Sequence, residues 1–140
     1  MRADRLLKLA EHLETGKLFH ETFDFSILSS RCLGMQEPQQ CGSVGCAMGE
    51  MPYVFPDLCK YDNYGLTPVD IERPPGHTYL CVQEIFDISK DAVRWLFEPI
   101  YLISTETRYG IRRLLPHATK NQVAENIRLF IKFYERNHAD

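Results

Sequence analysis

Cys41-Gly42-Ser43-Val44-Gly45-Cys46-Ala47-Met48-Gly49-Glu50 is the stretch on which the reading of this chain turns. Two thiols lie five positions apart in a run of small residues. The run resembles neither a polar loop nor an amphipathic helix. Each of its three glycines weakens an exposed helix by about 1 kcal/mol relative to alanine. A helix over Cys41–Glu50 is therefore expected only as a buried central element, where small faces let neighbouring backbones approach closely. Ser43 is placed to cap it and Pro52 to end it.

Outward from that run the signals are helical. Leu6, Leu7, Ala10 and Leu13 recur at helical spacing and Gly16 follows, which predicts a helix over Ala3–Thr15. Ser89 is an N-cap for Lys90–Phe97, where Val93, Leu96 and Phe97 form an apolar face that Pro99 closes. Thr119 and Gln122 form a capping-box pair before Val123, Ile127, Phe130, Ile131 and Tyr134, an apolar stripe running to about Arg136. Residues 52–77 hold five prolines and read as a long irregular region carrying Tyr53, Phe55, Tyr61 and Tyr64. Tyr101, Leu102 and Ile103 fit either a strand or a helix start. The expected fold is a single-domain, mainly α helical bundle over residues 1–140. Its glycine-rich helix is central, with a minor β element in residues 53–82 or 100–104.

Composition narrows the rest. The chain has 140 residues, 44% hydrophobic and 25% charged, with a net charge of −3, so it can build an ordinary core without metal or disulfides. Five cysteines, an odd count at irregular spacing, argue against a disulfide framework, and no apolar run approaches the ~18–20 residues that span a membrane. Free thiols in a reducing cytoplasm are expected. Residues 1–70 carry 6 basic and 10 acidic side chains, and residues 71–140 carry 10 basic and 9 acidic.

With those segments placed, the chain resembles a family of small uncharacterised bacterial and phage proteins. The resemblance rests on the CG(S/T)xxCxxG pattern of Cys41–Gly49, the Phe86-Asp87-Ile88-Ser89 corner, Leu96-Phe97, and the closing helix opened by Thr119. It implies a helical fold and a prokaryotic or phage source, and it implies no mechanism. Two positions depart from the pattern: Glu50 stands where an aromatic such as tryptophan is expected, and Asp87 where glycine is expected.

Four chemistries compete for these residues. A nucleophilic Cys41 or Cys46 needs a base, for which His77 and His117 are the candidates. Against this, both thiols read as small hydrophobes in a core. Cys32, Cys41, Cys46, Cys59, Cys81 and His77 lack the paired short spacings of structural zinc, and positions i and i+5 of a helix diverge by roughly 140°, so neither metal nor cofactor is expected. Arg128, Lys132 and Arg136 share one ridge of the last helix, which Arg112, Arg113 and Lys120 could extend into a basic patch for a protein or nucleic-acid partner. The carboxylates of the proline-rich region read as solvated, and His12, His20 and His138 as exposed and without a role. The leading expectation is a non-enzymatic cytoplasmic interaction protein. It would bind a protein partner, no membrane, through Tyr61, Tyr64 and the basic ridge. A cysteine-dependent hydrolase-type enzyme is the alternative.

Overall fold

A computed structural model describes residues 1–19, 22–25, 44–61, 65–69 and 78–138. Cys32, Cys41, Tyr64, His77 and His20 lie outside those residues. The fold is mainly α, with five helices among the described residues: α1 (Ala3–Thr15), α2 (Met51–Val54), α3 (Thr78–Phe86), α4 (Lys90–Phe97) and α5 (Lys120–His138). Three two-stranded ladders accompany them. β1 (Thr22–Phe23) pairs in parallel with β2 (Val44–Gly45). β3 (Cys59–Tyr61) and β4 (Leu66–Pro68) are antiparallel, as are β5 (Thr107–Arg108) and β6 (Ile111–Arg112).

The amphipathic patterns translate directly into packing. α1 buries Leu6, Leu9, Ala10 and Leu13. Its most extensive partner is α5, which buries Val123, Ala124, Ile127, Phe130 and Ile131. The N-terminus of α5 is closed by the expected capping box: the Thr119 amide donates to Gln122 Oε1 at 2.8 Å and the Gln122 amide to Thr119 Oγ1 at 3.2 Å. Ser89 Oγ accepts from the Ala92 amide at 3.1 Å and starts α4. Phe86 lies at the centre, fully buried, with the rings of Phe55 and Phe97 at 5.9 and 6.1 Å.

The expected helix over Cys41–Glu50 is not what its described part forms. Val44–Gly45 is strand, Ala47 lies in a turn, and Met48–Glu50 is a single 3₁₀ turn leading into α2. Three glycines make an uninterrupted helix costly, and strand pairing with Thr22–Phe23 satisfies the backbone there instead. Pro52 correspondingly starts a helix rather than ending one. It sits in the first turn of α2, where its missing N–H would have had no partner. The proline-rich region is also less irregular than its composition suggests, since β3 and β4 pair within it and Leu66–Pro68 are buried.

Asp87 closes α3 with a positive φ of 54°. The Ile88 amide returns to the Gln83 carbonyl at 3.2 Å, the six-to-one bond of a Schellman ending. The backbone here is one that glycine adopts without steric cost. The carboxylate meets the Met1 ammonium at 3.1 Å but is exposed, and such pairs contribute little. Asp87→Gly is therefore expected to leave stability unchanged or raise it by up to ~1 kcal/mol in chemical denaturation.

Candidate interaction surface

Two places gather functional side chains. One is buried and one is open to solvent.

The buried one surrounds Glu50. Its side chain is completely buried. Oε1 lies 2.8 Å from His12 Nε2 and accepts the Phe19 amide at 2.6 Å. A carboxylate at the C-terminal end of the 3₁₀ turn thus ties α1 and the segment after it to the Met48–Val54 corner. His12 is not the exposed, idle histidine expected from the sequence. Its side chain is only 11% exposed, and the Tyr53 ring lies 5.5 Å away. Tyr61 donates its hydroxyl to the Gly49 carbonyl on the same corner, so it is a structural tie and not part of an open aromatic surface. Phe55 is buried as well, whereas Tyr53 is exposed. The sequence reading missed this cluster, although two signals could have marked it. Glu50 is an ionisable group inside Ala47-Met48-Gly49-Glu50-Met51, a run too apolar for an unpaired charge, and His12 borders the buried stripe of α1.

Cys46 belongs to the same corner. It is buried, and burial pushes its thiol up to about 11. Cys59 is buried too and is pushed up to about 12, by burial first and by neighbouring Cys81 second. A thiol held protonated and out of solvent is a poor nucleophile. Cys41 and His77 lie outside the described residues. His117 is exposed, beside a cavity of about 360 Å³ bordered by Phe23, Asp24, Pro116 and Ala118. Among the described residues there is no group of three or more His, Cys, Asp or Glu side chains able to hold a metal.

The basic ridge of α5 is only partly available. Arg128 makes a two-pronged ion pair with Glu14 of α1, at 2.6 and 3.2 Å, and this contact holds the Glu14 carboxyl below its usual range. Lys120 donates to the Leu13 carbonyl at 2.7 Å. Lys132 and Arg136 are exposed and without an ion-pair partner among the described residues. Arg112 and Arg113 lie on the β5–β6 hairpin and its exit, and Arg113 turns to a different face.

That face is the open site. Tyr109 (φ 57°) and Gly110 (φ 74°) form the tight turn of the β5–β6 hairpin. A side chain at Gly110 would press on Phe133 Cβ at 3.2 Å, so glycine serves both the turn and the docking onto α5. The Tyr109 ring packs against Phe130 at 5.4 Å and its hydroxyl donates to Asp91 at 2.8 Å. Asn126 of α5 holds the Arg112 carbonyl at 2.8 Å. Anchored this way, the hairpin lays two guanidinium groups against the single tryptophan: Arg108 and Arg113 stand 5.1 and 5.9 Å from the Trp95 ring. Arg108 is fixed by Asp91 at 2.7 Å, which lowers that carboxyl. Arg113 donates to the Glu98 carbonyl at 3.3 Å, and its Nε is buried with no acceptor among the described residues. The Glu98 carboxylate accepts from Tyr79 at 2.8 Å; burial, then this bond, push the Tyr79 phenol up to about 12.

Between α4 and the hairpin, Trp95, Glu98, Pro99, Ile100, Glu106 and Arg113 border an open groove of about 490 Å³. Beside it Tyr101, Leu102 and Ile103 project into solvent, 74, 84 and 85% exposed. Three consecutive apolar side chains this exposed are uncommon on a folded surface. The sequence marked them only as an ambiguous apolar triplet, because exposure depends on what the hairpin leaves uncovered.

No family model, curated protein or solved structure matches the chain. No helix among the described residues is long and apolar enough to cross a membrane.

Proposed function

We propose that this is a non-enzymatic cytoplasmic interaction protein. Its contact surface is the groove beside α4 together with the Tyr101–Ile103 segment. The observation that carries this reading is the contiguous exposure of Tyr101, Leu102 and Ile103 along a groove floored by Trp95. Tryptophan, tyrosine and arginine are the side chains that dominate binding energy at protein interfaces, and all three border this groove. The buried, protonated Cys46 weighs against a thiol enzyme acting through that residue. A nucleic-acid surface on α5 is disfavoured by the Arg128–Glu14 pair, which leaves Lys132 and Arg136 as the exposed cations of the ridge.

Site-specific photo-crosslinking in cells tests the placement. A benzophenone side chain at Leu102 is expected to give discrete protein adducts, and the same group at Lys132 none. Adducts from Lys132 alone, or from neither position, would overturn the assignment.

A further inference from the structure

What covers the Tyr101–Ile103 segment follows from its own chemistry. We infer that it is a second copy of this chain, placed by a two-fold axis at Ile103; this rests on reading the groove face as an interaction surface.

Ile100-Tyr101-Leu102-Ile103-Ser104-Thr105-Glu106-Thr107 is rich in β-branched and aromatic residues and contains no proline, the composition of a strand. Only its end, from Thr107, is paired, with β6. Among the described residues no hydrogen bond engages the backbone of Tyr101, Leu102 or Ile103; the nearest anchors are the Ile100 amide on the Leu114 carbonyl and the Glu106 amide on Ser104 Oγ. Strand-forming sequence with unpaired backbone is a template for another strand. Pairing straightens the bends at Tyr101 and Leu102 without breaking a backbone bond.

Charge selects the occupant. The face carries both signs, with Glu98 and Glu106 among Arg94, Arg108 and Arg113, so it suits neither a strongly acidic nor a strongly basic partner. It does suit itself. In an antiparallel pair centred on Ile103, Glu98 of one copy stands opposite Arg108 of the other, twice over, so that charges held within each chain by Arg113 and Asp91 gain a second, opposite neighbour across the axis. Tyr101 then faces Thr105, and the two Ile103 side chains meet. Moving the axis by one residue, to Leu102, instead sets Glu98 against Glu106 and brings like charges together. The same patch also presents projecting apolar side chains next to a groove that can receive them, as a two-fold interface requires of one surface.

Sedimentation velocity of the intact protein over a concentration series, with wild type and Ile103→Asp compared, tests this. Ile103 is exposed in the single chain, so the variant should fold, and its circular dichroism spectrum should match wild type. Wild type should form a discrete dimer. Ile103→Asp places two carboxylates on the axis and should weaken association at least ~100-fold. A monomer at every concentration, polydisperse aggregates, or a dimer indifferent to Ile103→Asp would overturn the inference. A monomeric protein that still gives Leu102 adducts with another protein would overturn the second copy and leave the interaction reading intact. A monomer without such adducts would end both.

Discussion

Glu50→Ala should cost about 3 kcal/mol of folding stability, because it removes a buried acceptor while the groups bonded to it stay buried and in place. The His12 ring and the Phe19 amide both converge on Oε1, and neither gains a replacement from a methyl group. For a domain of this size the loss corresponds to roughly a 10 °C fall in melting temperature. Glu50→Gln retains an oxygen acceptor for the Phe19 amide and should cost about half as much. Thermal melts of the two variants check this, and a Glu50→Ala protein as stable as wild type would remove Glu50 as the tie between α1 and the Met48–Val54 corner. The departure from the aromatic expected at position 50 would then have no structural role.

Trp95→Ala should be at least as damaging, at about 4 kcal/mol. The indole is nearly all buried, and it supports more than its own contacts. Arg108 and Arg113 both rest against it, and through them Asp91 and Glu98 fix the hairpin to α4. Removing the ring opens a cavity under the groove and frees the hairpin exit. Trp95→Phe keeps an aromatic face for both guanidinium groups and should lose much less. Urea titrations followed by circular dichroism are the appropriate measurement, since Trp95 is the only tryptophan and fluorescence disappears with it.

The two predictions mark where the sequence was legible. Period and caps located α1, α4 and α5, because each is a continuous amphipathic helix with a local stop or start signal: Gly16, Ser89, and the Thr119–Gln122 pair. The glycine expected at position 87 came from the resemblance and not from a local pattern; Asp87 itself takes a left-handed backbone there. The Cys41–Glu50 run was misread where it can be followed, because its fate depends on a strand contributed by Thr22–Phe23, 22 positions away in sequence. No local pattern encodes that partner. His12 and Glu50 are likewise separated by 38 positions, so their pairing was invisible and His12 read as an exposed histidine without a role. The basic ridge was legible as a spacing but not as a surface, because Glu14 on α1 claims Arg128. The groove could not be read at all. It is a space left between α4 and the hairpin, and sequence spacing describes chain and not space.

Amide hydrogen exchange of the intact protein, dilute and concentrated, reports on the contact at Tyr101–Ile103. In the dilute protein the amides of Tyr101–Ile103 should exchange almost freely, as their lack of hydrogen bonds among the described residues requires. On concentration the alternate amides that pair across the two strands, Tyr101 and Ile103, should become protected while α5 stays unchanged. Equal exchange at Tyr101 and Ile103 in both samples, or protection confined to the Lys132–Arg136 ridge, would contradict pairing of this segment with a second copy.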